Sequence, residues 1–273
     1  MGVWPQQTYT VSGSKVDGVA YQDYLTYLGH ATVLIEVEDV RVMTDPVLRP
    51  GAAMLHRMPG AADIRDYTDV DIVVISHLHH DHLDLPSLRR LRDDPLIVVP
   101  LGAERWMRTK GFHNVVEVAP GDVLSYRSVT IRATMAGHSG KREPRGPVAM
   151  AIGYVIEAGP ATLYFAGDTD IFPGMADLVP GELDVAMIPV WGWGLVLGDG
   201  HLNPQSAADA VALLKPRYAV PIHWGTLAVA GLHRLRFARM ETPPHEFEKA
   251  VNALGIDTEV LITRPGERVP FEP

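Results

Sequence analysis

Six consecutive residues, His77-Leu78-His79-His80-Asp81-His82, hold four imidazoles and a carboxylate. They come straight after Asp71-Ile72-Val73-Val74-Ile75-Ser76, a β-branched run that reads as a buried strand. Imidazole and carboxylate are the ligands that suit divalent zinc, manganese or iron. Packing alone is a costly reason to gather them, because each ring needs a hydrogen-bond partner and clustered His cations repel. The spacing adds direction. His77 and His79 lie two apart, so in extended chain they point the same way and can share one metal. Asp81 and His82 fall where the chain turns towards a helix beginning near Pro86, which aims them at a second metal. One loop feeding two metals is what a two-metal hydrolase needs.

The pattern H-x-H-x-D-H after a strand resembles the signature of the metallo-β-lactamase superfamily, and the later ligands of that family follow in order. Thr134-Met135-Ala136-Gly137-His138 ends a strand in a His, Leu163–Asp168 ends one in an Asp, and Ala219–His223 ends one in a His. By resemblance, His77, His79 and His138 bind a first metal, Asp81, His82 and His223 a second, and Asp168 bridges them. His80 is not a ligand in that pattern and reads as structural. The cofactors implied are two divalent ions, zinc first, with Mn2+ or Fe2+ admissible on the same ligands. Two cations roughly 3.5–4 Å apart can share a water and lower its pKa towards ~7, giving a hydroxide nucleophile. Asp81 would also orient that nucleophile. The fold implied is α/β, a four-layer αββα sandwich of two mixed sheets flanked by helices.

Within the superfamily, three features resemble the branch of ascorbate-phosphate lactonases and N-acylphosphatidylethanolamine phospholipase D. These are Gly29-His30-Ala31-Thr32, the His138 loop with nearby Arg142, and His223-Trp224-Gly225-Thr226. Two departures stand on the substrate side: Ser139 where an aromatic is common, and Asp170 where Gly is common. They weaken any transfer of substrate and leave metal binding untouched. The implied reaction is hydrolysis of an ester, lactone or phosphodiester in a small-molecule or lipid-like substrate. Two alternatives stay open: an iron-dependent oxidative enzyme on the same scaffold, and a non-catalytic metal-binding or sensor protein. A sensor is expected to have lost ligands, whereas all seven stand here.

The elements that must position these residues can be read in order. Residues 1–20 are polar and form an N-terminal arm or edge strand. Tyr24–Leu28, Thr32–Glu36 and Val40–Thr44 read as a meander, ending in Asp45, which suits either a turn cap before Pro46 or a carboxylate orienting a ligand ring. Residues 46–66, with Pro46, Pro50, Gly51, Pro59 and Gly60, read as a long loop whose Met54, Leu55, His56 and Met58 could line a substrate site. Helices are expected at Leu85–Arg92, Ala103–Lys110, from Pro204 to Leu214 and at His245–Leu254, and strands at Leu96–Val99, Val115–Val118, Val123–Tyr126, Val129–Met135, Val148–Ile156, Ala161–Phe165, Leu183–Pro189, Tyr218–Ile222 and Thr258–Ile262. The basic loop with Lys141, Arg142 and Arg145 could clamp a phosphate or carboxylate, Arg142 foremost. Trp191 and Trp193 sit in a glycine-rich stretch that reads as an apolar pocket wall. His30, at a strand end, and His201, at a helix entrance capped by Asn203-Pro204, complete the candidates. His30 is taken as a substrate contact, and His201 as a proton donor or anion contact.

At 273 residues the chain suits one α/β domain over 1–273. With 47% hydrophobic and 21% charged residues it has the composition of a soluble globular protein. A formal charge of −9 argues against a nucleic-acid binder, which must neutralise phosphates. The absence of cysteine removes disulfides, thiolate ligands and thiol nucleophiles together and fits a cytoplasmic setting. Neither a signal peptide nor an integral membrane segment is expected from the apolar runs. The oligomeric state is open, a homo-oligomer included.

Overall fold

The computed structural model describes residues 6–11, 22–52, 55–57, 67–142, 146–192, 199–229 and 241–273. Short β-branched and aliphatic runs form its strands. In chain order these begin β1 (Thr8–Val11), β2 (Tyr24–Gly29), β3 (Thr32–Val37), β4 (Val40–Thr44), β5 (Gly51–Ala52), β6 (Leu55–Arg57), β7 (Ile72–Val74), β8 (Leu96–Pro100) and β9 (Val115–Val118). They continue β10 (Val123–Tyr126), β11 (Val129–Met135), β12 (Ile152–Ala158), β13 (Ala161–Phe165), β14 (Val185–Pro189), β15 (Tyr218–Ile222), β16 (Leu227–Val229), β17 (Glu259–Val260) and β18 (Arg268–Pro270). The helices are α1 (Leu85–Leu88), α2 (Glu104–Thr109), α3 (Pro204–Leu214) and α4 (Thr242–Ala253).

Two mixed sheets carry the fold. One runs β18-β2-β3-β4-β7-β8-β9 and the other β1-β10-β11-β12-β13-β14-β15-β17. Alternation decides which faces meet. Ile72 and Val74 of β7 face Leu163 and Phe165 of β13 across an apolar interior shared by both sheets. The intervening Val73 turns outward onto Leu88 and Met107 of α1 and α2. On the far side, Tyr164 and Ala186 turn outward onto Val211 of α3 and Phe247 of α4. Helix, sheet, sheet, helix is the four-layer arrangement that the resemblance implies.

Local chemistry explains where boundaries differ from expectation. α1 ends at Leu88, four residues early, and the chain continues through i to i+3 bonds (Arg90 N to Ser87 O, Leu91 N to Leu88 O) before Arg92 N bonds Thr68 O. β12 starts at Ile152, not Val148. Gly140 leaves room for the carbonyl of Ala149, which a Cβ there would meet at 2.2 Å, so residues 148–151 pass against the His138 loop. The stretch expected as a bare loop over 46–66 contains β5 and β6, which join β16 in a three-stranded sheet. Met54, Met58 and Arg145 lie outside the described residues. The arm expected at 1–20 contributes β1, which pairs in parallel with β10 as an edge strand. No helix among the described residues is long and apolar enough to cross a membrane.

One buried hydroxyl joins the two sheets beneath the His77–His82 loop. Tyr154 of β12 donates its OH to the carbonyl of Ile75, just after β7, at 2.8 Å. Tyr154→Phe strands that carbonyl in an apolar interior, so it is expected to cost about 1–2 kcal/mol. Urea unfolding should show this as a lower midpoint with an unchanged slope.

Candidate metal centre

Strand polarity gathers the predicted residues at one edge. β2, β4 and β7 point the same way and end at His30, Asp45 and the His77–His82 loop. β11, β13, β14 and β15 share a direction and lead to His138, Asp168, Trp191 and His223. The carboxyl ends of strands are where α/β sheets collect ligands. His30, Asp45 and His223 have φ of 58°, 34° and 65°, a left-handed backbone that costs a non-glycine residue roughly 1–2 kcal/mol. Such strain concentrates at functional sites. Gly167 (φ +61°) does a related job between the sheets, since a Cβ there would lie 2.4 Å from Ser76 Cβ.

The side chains converge tightly. His77 Nε2 lies 2.9 Å from His79 Nδ1, which lies 3.3 Å from His138 Nε2. A tetrahedral zinc at ~2.0–2.1 Å from each nitrogen would set neighbouring ligands roughly 3.3 Å apart. Asp168 sits between two groups of rings. Its Oδ2 is 3.3 Å from His82 Nε2, 3.9 Å from His77 Nε2 and 4.0 Å from His138 Nε2, and its Oδ1 is 3.3 Å from His223 Nε2. Asp81 Oδ2 is 3.8 Å from His82 Nε2.

Each ring but one is aimed by a bond at its other nitrogen. His82 Nδ1 donates to Asp45 Oδ2 at 2.7 Å, His138 Nδ1 to Gly200 O at 2.9 Å, and His223 Nδ1 to Trp191 O at 2.5 Å. His77 Nδ1 donates to Ser76 Oγ at 2.9 Å, and Ser76 Oγ donates on to Asp45 Oδ2 at 2.5 Å. A ring that donates outward from Nδ1 turns the lone pair of Nε2 towards the cluster. His79 is the exception, presenting Nδ1. His82 Nε2 and Asp168 Oδ1 are buried and make no hydrogen bond among the described residues, which is costly. A divalent cation would satisfy both. The donor set, imidazole and carboxylate without thiolate, fits such an ion.

The electrostatics agree. Burial pushes His138 down to about 4 and lowers His77 and His79 as well, so these rings are neutral lone-pair donors at pH 7. Burial would raise the Asp168 carboxyl, but His223 and His82 outweigh it and hold it well below the ordinary range. Burial likewise favours neutral His82, but Asp168 and Asp81 outweigh it and hold its pKa well above the ordinary value. The carboxylates demand a positive charge at this point, be it a proton or a metal ion.

The structure brings His77, His79, Asp81, His82, His138, Asp168 and His223 together. It adds His201, a quarter exposed, with Nε2 3.6 Å from Asp168 Oδ2 and its ring centre 4.7 Å from that of His138. Two expectations need correction. Arg142, expected on a substrate anion, is buried: its Nη1 donates to Leu78 O and Leu83 O at 2.8 and 2.9 Å, and its Nη2 to His80 Nδ1 at 3.0 Å. Its guanidinium stacks 5.1 Å from the Trp106 ring centre, so it braces the metal loop from behind. His30, expected at the substrate, is 1% exposed and lies against Asp81 instead. Trp191 is partly exposed and supplies its carbonyl to His223, while Trp193 lies outside the described residues. Sequence reasoning passed over Ser76 and Gly167. The only signal for either was its place beside a ligand, Ser76 before His77 and Gly167 before Asp168.

Comparison with known proteins places this geometry. The beta-lactamase superfamily domain matches residues 40–224. A UPF0173 metal-dependent hydrolase of Methanopyrus kandleri is 32% identical over 249 residues, covering 89% of this chain and 97% of that protein. An N-acyl-phosphatidylethanolamine-hydrolyzing phospholipase D of Caenorhabditis elegans is 31% identical over 228 residues, covering 74% of this chain and 64% of that protein. Among solved structures, a metallo hydrolase of Ignicoccus hospitalis aligns over 92% of this chain and 99% of its own, with a TM-score of 0.70 and 26% identity. The chain belongs to the metallo-β-lactamase superfamily of metal-dependent hydrolases.

Two outcomes follow from the orienting bonds and the buried rings. Asp45→Asn should weaken zinc binding about 10–100-fold, read by competition with a chelator. In the metal-free protein, the thermal midpoint should fall between pH 7 and pH 5. His138 and His30 titrate near 4 and 3 when folded but near ~6.5 when unfolded, so in that window the unfolded chain binds more protons and stability falls with pH. The raised His82 is protonated in both states below ~6.5 and adds no slope there, while Asp45, raised by burial, opposes the trend as a single group.

Proposed function

We propose that this cluster is a dinuclear centre hydrolysing an ester, a lactone or a phosphodiester. His77, His79 and His138 would hold one ion, and Asp81, His82 and His223 the other, with Asp168 between them. The observation that carries the reading is Asp168: one buried carboxylate within 4.0 Å of rings of both sets, His77 and His138 of the first and His82 and His223 of the second. When bound, a pair of divalent ions, zinc foremost, supplies Lewis acidity and water of lowered pKa.

The chain's own groups divide the remaining work. Asp81, with one-fifth of its side chain exposed, can accept a hydrogen bond from the attacking water and orient it. His201 presents Nε2 beside Asp168 from the more open side, where it can bind the substrate's anionic oxygen or protonate the leaving group. Apolar side chains accompany the ligand-bearing strand ends: Met135 stands three residues before His138, Ile171 three after Asp168, and both are exposed, as is Met150. Together with the phospholipase D among the relatives, they favour a phosphodiester with a lipid-like arm.

Elemental analysis of protein purified without added metal should find about two ions per chain, as a two-metal site requires. A screen of lactones, carboxyl esters and phosphodiesters should then give turnover that Asp168→Ala abolishes. His201→Ala should lower kcat by roughly 10²–10⁴ with metal content retained. Iron as the dominant metal with oxygen consumption would move the protein to oxidative chemistry. Failure to take up any metal would leave a binding protein.

A further inference from the structure

We propose that His30 is the positioning residue of the second ligand set, holding Asp81 through its side chain and His223 through its backbone. The inference rests on the dinuclear reading and gives a specific residue the task of keeping the two ligand sets distinct.

His30 touches that set from two directions. Its Nε2 lies 3.1 Å from Asp81 Oδ2, where a ring N–H donates to the carboxylate. Its carbonyl accepts the backbone N–H of His223 at 2.7 Å. Its ring centre lies 4.0 Å from that of His223 and 4.9 Å from that of His82. Asp81, His82 and His223 are the three residues of the proposed second set.

The backbone at this point is held without help from the side chain. His30 N–H donates to Thr226 Oγ1 at 3.0 Å, and Thr226 Oγ1 donates to Trp224 O at 3.1 Å. Tyr27 adds a bond from its OH to the same Trp224 carbonyl at 2.8 Å. Gly29 (φ +112°) is required for this approach, because a Cβ there would lie 2.4 Å from Thr226 Cγ2. The end of β2 is therefore fixed to the 223–226 turn by main-chain and neighbouring groups. What the imidazole adds is the bond to Asp81. A carboxylate is free to rotate about its Cβ–Cγ bond, and a buried donor on one oxygen fixes which lone pairs face the cation.

Two variants separate reach from backbone conformation. Asn tolerates the left-handed backbone but is too short to reach Asp81, whereas Gln places an amide N–H near the position of Nε2. Calorimetric titration of the metal-free protein with Zn2+ should resolve two binding steps in the wild type. His30→Asn is expected to weaken the second-site step about 10–100-fold while leaving the first step in place. His30→Gln should recover most of that loss. An unchanged second step in His30→Asn would overturn the proposal, as would equal weakening of both steps with a lower thermal midpoint. Gln behaving as badly as Asn would also overturn it, because the ring would then be acting as a ligand. A wild type that binds fewer than two ions would instead sink the dinuclear reading, and this inference with it.

Discussion

Asp45 holds a fully buried carboxylate, and the site depends on how that burial is resolved. A buried carboxylate must be hydrogen-bonded or it becomes prohibitively unfavourable. Asp45 Oδ1 accepts the backbone N–H of Ser76 at 2.7 Å, and Oδ2 accepts from Ser76 Oγ and from His82 Nδ1. Through Ser76 it aims His77, and directly it aims His82. One fixed point thus orients a ring of each proposed ligand set: His82 cannot rotate without breaking its bond to the carboxylate, nor His77 without breaking its bond to the Ser76 hydroxyl that the carboxylate holds. The left-handed turn at Asp45, followed by Pro46, is what delivers the carboxylate inward from the end of β4.

That anchor works only because the two sheets agree in polarity. β4 and β7 of one sheet and β13 and β15 of the other all end at the same edge of the sandwich, so their ligands meet without long loops. The interior behind the edge is aliphatic and aromatic, which makes every polar group at its boundary dependent on an internal partner. The last closure is steric. Gly167 lets the turn before Asp168 come against Ser76, and so brings the central carboxylate of one sheet to the ligand loop of the other. Arg142 completes the support from outside, capping two carbonyls of the loop that faces inward to the cluster. Arginine suits that task because its planar fork offers donors in two directions at once.

The parts of this arrangement that were legible in the sequence are those with a strong local signature. His77–His82 follows a β-branched strand, and His138, Asp168 and His223 each follow one too, so type and position sufficed. The strand cores were equally plain, because short apolar runs bounded by turn residues are buried along their whole length. The misplaced residues fail for a common reason: a side chain's direction at a strand end is set by tertiary contacts. Arg142 has the type of a substrate clamp, but Leu78, Leu83 and Trp106 lie far from it in sequence. The His30 ring meets Asp81, fifty-one residues away in sequence. β5 and β6 were unreadable because their third strand, β16, arrives only near residue 227. Short strands of low propensity owe their existence to such pairing.

The two proposed ligand sets differ in chemistry, and that difference has a physical consequence. The first is built from three imidazole nitrogens, two of them aimed by bonds at Nδ1, and His77 is fully buried. The second replaces one imidazole with the carboxylate of Asp81, which is partly exposed. Imidazole suits zinc, copper, iron and nickel, whereas carboxylate and water suit manganese and magnesium. A nitrogen-rich position therefore favours the tighter, softer ion, and an oxygen-bearing one binds less discriminately. The carboxylate also changes the balance of charge, since Asp168 and Asp81 lie on the same side of His82. A divalent ion there neutralises two carboxylates that would otherwise repel, so occupancy of the second position relieves an electrostatic conflict built into the fold.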